Sequence, residues 1–204
     1  MSIIFDLDGT LIDASDRLYN LFCELIPECV LTKEQYWAYK RDKVNHKMLI
    51  EKFYPNHSFE EFNSKWMSLI EAKEYLEMDK TYKDTITVLE KLREKIDVYL
   101  LTARQSKKML LDELQWLGLT SYFKQIMTTE GKYTKEEVLS IYCESDNSLN
   151  CKGNIFVSDM GKDILLGKKM GYRTIAISHG FMSADRLAEY EPDEMVESLS
   201  QILV

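Results

Sequence analysis

Five short runs rich in β-branched and aromatic residues, "SIIF", "DVYLLT", "KQIMTT", "NIFVSD" and "YRTIAI", alternate with segments whose apolar residues recur at helical spacing. Strand then helix, repeated, predicts an α/β fold with a parallel sheet covered by helices on both faces. The helices carry their own boundary signals. Thr32 with Gln35, Ser58 with Glu61 and Thr134 with Glu137 stand at capping-box spacing, and Gly118 and Gly171 follow helical segments as C-terminal stops.

The alternation breaks once. From about Ala14 to Lys80 no strand pattern occurs, while Leu18, Leu21, Phe22 and Leu25, then Phe59, Phe62, Trp66, Leu69 and Ile70, recur at helical spacing. Such stripes form a core. The expected organisation is a sheet domain built from residues 1–13 and 81–204, with a four-helix insertion over residues 14–80 after the first strand. The chain of 204 residues is long enough for one full domain carrying a smaller one. Hinges are expected at residues 12–16 and 78–84. The polar stretch "ESDNSLNCKGN", residues 144–154, reads as a loop.

In an open parallel sheet, ligands bind beyond the carboxyl ends of the strands, where strand order reverses. The first run ends at Asp6 and Asp8, the second at Thr102 and the fourth at Asp159; Asp163 follows four residues later on the same side of the next helix. Carboxylates converging on one point repel unless a divalent cation sits among them. Magnesium suits the set, being a hard ion that takes a few carboxylates and leaves room for phosphate oxygens. Each acid also has an ordinary reading. Asp6, Asp8 and Gly9 would serve as a strand-ending turn, Asp159 as a helix cap, and Asp163 as a favourable charge at a helix N-terminus.

Taken together, "DLDGT", Thr102 in "LLTAR", a lysine opening a later helix and the acids of "SDMGKD" resemble the haloacid dehalogenase superfamily of phosphohydrolases. The resemblance covers practically the whole chain, and the helical insertion resembles the cap of the subfamily containing phosphoglycolate phosphatase. It implies a Rossmann-like core with a helical cap, and a magnesium-dependent phosphatase of small phosphorylated metabolites. Asp6 would form an aspartyl phosphate, and Asp8 would act as acid and then base. Asp6, Asp8, Asp159 and Asp163 would surround Mg2+. Gly9, Thr102 and Ala103 would bind phosphate oxygens, and a lysine would offset their charge. Lys135, directly after the cap residue Thr134, is preferred for that role over Lys132. One departure is Ser158, where the family often has glycine. Thr10 leans towards phosphatases and away from sugar phosphomutases, which commonly carry valine there. A phosphomutase and a catalytically silent phosphate-binding protein are the alternatives.

For specificity, "YKRDKVNHKM", residues 39–48, offers Arg41, Lys43, Asn45 and His46 to a leaving group, or else forms a solvated turn. "SHGF", after the fifth run, is a candidate site wall. Twenty-six basic against thirty-four acidic residues leave a formal charge of -8, which disfavours broad binding to nucleic acid or anionic membranes. No apolar run is long enough to span a bilayer, so a cytoplasmic chain acting as a monomer or weak homodimer is expected. Cys23, Cys29, Cys143 and Cys151 form no C-x-x-C pair and are expected as reduced thiols. Neither G-x-x-x-x-G-K-[ST] nor G-x-G-x-x-G occurs, which disfavours a nucleotide kinase or a dinucleotide enzyme.

Overall fold

All four residues of the first strand, Ser2–Phe5, are buried, as a strand covered on both faces requires. The computed structural model describes residues 1–203. This strand, β1, leads into a two-residue strand β2 (Ile12–Asp13) and five helices: α1 (Ser15–Leu25), α2 (Lys33–Arg41), α3 (His46–Phe53), α4 (Phe59–Leu69) and α5 (Lys73–Leu76). A second two-residue strand, β3 (Lys80–Thr81), ends the insertion. The chain then alternates through α6 (Thr85–Arg93), β4 (Asp97–Thr102), α7 (Lys107–Trp116), β5 (Gln125–Thr128), α8 (Lys135–Ser145) and β6 (Ile155–Ser158). It finishes with α9 (Gly161–Lys169), β7 (Arg173–Ile177), α10 (Ala184–Ala188) and β8 (Glu194–Val196).

The main sheet has six strands in the order β5-β4-β1-β6-β7-β8. Every pairing in it is parallel. Strand order reverses at β1, so the carboxyl ends of β4, β1 and β6 lie side by side. Alternate residues serve opposite layers: Ile3, Phe5 and Leu100 pack with Leu89, Leu110 and Leu114, while Ile4, Tyr99 and Leu101 pack with Val138 and Leu139. The insertion has its own core, in which Phe22 lies 5.0 Å from Tyr36 and 5.7 Å from Phe62 between ring centroids. The capping boxes at Thr32 and Thr134 form, and Ser58 caps α4 by accepting from the Glu61 N–H.

The structure differs from the sequence pattern in several places, among them the two short strands β2 and β3. The sixth strand, β8, escapes notice because only Val196 of its three residues is buried, too short a run for periodicity to register. The insertion gains a fifth helix, α5, of four residues. The stretch 144–154 begins inside α8 and continues through a 3-10 turn, Asn147–Asn150.

The insertion leaves and rejoins the sheet domain through an antiparallel ribbon, Ile12 opposite Thr81 and Asp13 opposite Lys80. Just beyond the ribbon, a buried charge network ties its two sides to the core. Arg17 donates from Nε to Asp79 Oδ1 at 3.1 Å and from Nη1 to the Ile70 carbonyl at 3.1 Å, and its Nη2 contacts Asp8. Arg104 donates to both oxygens of Asp8, at 2.7 and 2.8 Å, and its Nη2 lies 3.0 Å from Glu113 and 3.4 Å from Asp79. Three carboxyl groups thus share two guanidiniums, which leaves the cluster one positive charge short and favours a proton on the hydrogen-bonded Asp79–Glu113 pair.

Burial pushes Asp79 up to about 9, against the pull of Arg17, so Asp79 holds the proton at neutral pH. A carboxyl whose folded pKa lies above its ordinary value favours folding fully only below that ordinary value. The advantage is lost as pH climbs to about 9. Asp79→Asn keeps a neutral group at every pH. Its free energy of unfolding, relative to the wild type, is expected to rise by up to about 1.4 kcal/mol per pH unit between about pH 6 and 9. Parallel pH profiles in urea titrations of the two proteins would show that Asp79 does not carry this proton.

Candidate active site

Beyond the carboxyl ends of β1, β4 and β6 lies a cavity of about 590 Å3, lined by Asp6, Asp8, Thr102, Ala103, Lys135 and Asp163 among others. Asp6 directly follows β1, where its N–H donates to the Val157 carbonyl at 3.0 Å. Lys135, the first residue of α8, reaches across the strand ends, and its ammonium donates to Asp6 Oδ1 and Asp163 Oδ2, both at 2.6 Å. Ser158 donates to the same oxygen of Asp163 at 2.8 Å, so the serine found where the family often has glycine orients an acid. The alternative lysine, Lys132, is exposed and lies 3.9 Å from Glu130.

Asp159 is also buried at this end of the sheet. Its Oδ1 accepts from the Thr10 hydroxyl at 3.1 Å, and its Oδ2 accepts from the Phe181 N–H at 2.5 Å. Gly9 makes room for this carboxylate. Its φ is +79°, and a Cβ there would stand 2.1 Å from Asp159 Oδ2. The Gly9 N–H itself donates to the Ile12 carbonyl at 2.8 Å, and the Thr10, Leu11 and Ile12 amides donate to the Leu7 carbonyl. The "SHGF" loop forms part of the site wall: Phe181 lines the cavity, and His179 stacks on Tyr82 and contacts the Thr10 carbonyl at 3.1 Å.

Electrostatics divide the acids into two groups. For Asp8, burial would raise the pKa, but Arg104 and Arg17 outweigh it and hold the carboxyl at about 2. Asp6 has only Lys135 beside it. Burial pushes Asp6 up to about 7, with Lys135 pulling down and Asp163 pushing up. Asp159 is held well above the ordinary range by burial and by the charge of Asp6. Burial works to discharge Lys135, and Asp163 and Asp6 more than reverse this.

Asp6, Asp159 and Asp163 therefore confront a single ammonium. This donor set, all hard oxygen and short of positive charge, fits a divalent cation such as magnesium. The fit belongs to Asp6 and Asp159 first: among the described residues Asp159 meets only neutral donors and Oδ2 of Asp6 is unpartnered, whereas Asp163 is paired with the Lys135 ammonium and both oxygens of Asp8 are held by arginines. Among the described residues, no three His, Cys, Asp or Glu side chains already converge as a ligand set.

A second cavity, of about 520 Å3, opens between the insertion and the core and shares Met160, Lys162 and Phe181 with the first. The four polar residues that the sequence offers for specificity are all committed near it. Arg41 donates to the carbonyls of Gly180 and Ser178, at 2.6 and 2.8 Å, and so fastens α2 to the core. Lys43 pairs with Glu189 at 2.5 Å, and Asn45 caps α3 by accepting from the Met48 N–H. His46 is hydrogen-bonded to Tyr36 at 2.8 Å, and burial, with Lys40 nearby, keeps it neutral.

Several functional neighbours escape sequence reasoning. Arg104 stands two residues after Thr102 in "LLTAR", yet nothing local reveals a partner 96 positions away. The same holds for Arg17, whose partner Asp79 lies 62 positions away at the other end of the insertion. The four cysteines are free thiols. No helix among the described residues is long and apolar enough to cross a membrane.

Comparison with known proteins agrees with this geometry. The chain is 26% identical to pyrophosphatase PpaX of Anoxybacillus flavithermus, over 99% of this chain and 94% of that one. Against PpaX of Bacillus velezensis the identity is again 26%, over 99% and 94%. Among solved structures, a haloacid dehalogenase-like hydrolase from Streptococcus pneumoniae superposes with a TM-score of 0.78 at 22% identity, covering 98% of this chain and 95% of that one. A protein described as a predicted phosphoglycolate phosphatase from Haemophilus somnus gives 0.76 at 16% identity, over 97% and 94%. The model of the haloacid dehalogenase-like hydrolases matches residues 3–177, and the chain belongs to that family.

Proposed function

We propose that this chain is a magnesium-dependent phosphohydrolase of small phosphorylated metabolites, acting through phosphorylated Asp6. The observation that carries the reading is the bridge from Lys135 to Asp6 and Asp163, at 2.6 Å each, inside a cavity walled by Thr102 and Ala103. The relatives named pyrophosphatases support extending the substrate class from phosphate esters to phosphoanhydrides.

In this reading a carboxylate oxygen of Asp6 attacks phosphorus and the bond to the leaving group breaks, which divides one hard displacement into two easier ones. The Thr102 hydroxyl and the Ala103 N–H hold phosphoryl oxygens, together with the N–H groups of Leu7 and Asp8, which donate to no acceptor among the described residues. Gly9 contributes space for Asp159, since its own N–H is occupied. The Lys135 ammonium offsets the charge shared by Asp6 and the phosphoryl group. Asp163 and Ser158 keep that ammonium in place. Magnesium would be held by Asp6 and Asp159; when bound, it supplies the positive charge that lets an anionic substrate approach buried carboxylates.

Asp8 delivers a proton to the leaving group and later takes one from the water that attacks phospho-Asp6. Clamped between Arg17 and Arg104 it is a stable anion, so it must leave the clamp to carry a proton. Arg17 lies on the first helix of the cap, which gives cap movement a direct mechanical route to Asp8. Closure of the cap excludes water while phosphorus is transferred.

Asp6→Asn is expected to lower hydrolysis of p-nitrophenyl phosphate in magnesium at least about a thousandfold, and near-normal turnover would end the nucleophile assignment. Lys135→Met is expected to lower kcat about a hundredfold or more, whereas Lys132→Met leaves it within about twofold; phosphate-release assays on both variants decide which lysine serves. Chelation by EDTA is expected to abolish turnover and added magnesium to restore it. Full activity after dialysis against chelator would exclude the metal.

A further inference from the structure

Lys40, in the last turn of α2, differs from the four committed residues that follow it. It lines the second cavity, and its ammonium has no hydrogen-bonding or ionic partner among the described residues. Withdrawing an ammonium from water without a counter-charge is costly. Burial here lowers the Lys40 pKa to about 8, and no carboxylate opposes that shift. Its neighbour His46 is neutral and supplies no counter-charge. Lys162, on the first turn of α9, is a second cation without a partner among the described residues, and it lines both cavities where they join.

The two cavities are thus oppositely biased. The one at the strand ends has more carboxylates than ammonium groups around Asp6, and the adjoining one has ammonium groups without carboxylates. A substrate with its phosphoryl group at Asp6 would extend its leaving group past Lys162 towards Lys40.

Building on the phosphohydrolase reading, we propose that the second cavity receives the leaving group, and that Lys40 selects substrates whose leaving group carries its own anion, a second phosphoryl group or a carboxylate. Arg41, Lys43, Asn45 and His46 shape this pocket by anchoring its walls. Lys40 is the specificity-determining contact, and Lys162 guides the anion across the junction.

The test compares wild type, Lys40→Met and Lys40→Arg in magnesium. Substrates are pyrophosphate and 2-phosphoglycolate, whose leaving groups are anionic, and p-nitrophenyl phosphate and glycerol 2-phosphate. The measured quantity is the ratio of kcat/KM for each anionic substrate to that for glycerol 2-phosphate. Lys40→Met is expected to lower at least one ratio about tenfold or more, mainly through KM, as loss of a charge-assisted hydrogen bond does. Lys40→Arg is expected to restore most of it. The ratio that falls identifies the anion as phosphoryl or carboxylate. Ratios within about twofold of wild type in Lys40→Met would overturn the assignment.

A thermal-shift measurement separates this proposal from the reading beneath it. If the wild type hydrolyses none of the four compounds, the phosphohydrolase reading fails. Pyrophosphate or 2-phosphoglycolate should still raise the wild-type Tm, and the rise should vanish in Lys40→Met. Equal shifts in both proteins, or none in either, reject the Lys40 subsite. Lys40→Met keeps the apolar stem and removes an unpartnered charge, so its Tm without ligand should match or exceed that of the wild type.

Discussion

Buried carboxylates need cations within reach, and the structure around the strand ends is organised by how each acid meets that need. Asp8 has two guanidiniums, Asp6 and Asp163 share one ammonium, and Asp159 relies on a hydroxyl and a backbone N–H. The cations come from distant parts of the chain: Arg17 from the insertion, Arg104 from the loop after β4, and Lys135 from the start of α8. Each must be delivered by a correctly placed helix or loop. The charge balance therefore constrains the tertiary structure, and it leaves a residual deficit of positive charge at Asp6 and Asp159.

Much of this was legible in one dimension because it rests on local rules. Strand runs, caps at Thr32 and Thr134, and stops at Gly118 and Gly171 depend on a few neighbouring residues, and each element they announce is present. The acids at Asp6 and Asp159 could be grouped because parallel strands carry their carboxyl ends to one edge. Arg104, Arg17 and Lys40 were hidden for the opposite reason. A buried arginine and a surface arginine look alike in sequence, and only the partners assembled by folding tell them apart.

The stretch 39–48 illustrates the same limit. Its polar residues do lie beside a cavity, yet Arg41, Lys43, Asn45 and His46 are held by carbonyls, a carboxylate, a helix cap and a tyrosine. Composition identified the region and could not say which side chain remained available. The β2–β3 ribbon was similarly invisible, because two residues per strand carry no periodicity.

That ribbon has a wider consequence. Because Ile12 lies opposite Thr81, the excursion that supplies Lys40 starts and finishes at adjacent points. A longer, shorter or differently decorated loop of helices could be grafted at that junction without disturbing strand order, provided that it kept a cation where Arg17 meets Asp8. The surroundings of Lys40 can therefore change with the excursion while the strand-end acids that follow β1 and β6 keep their places.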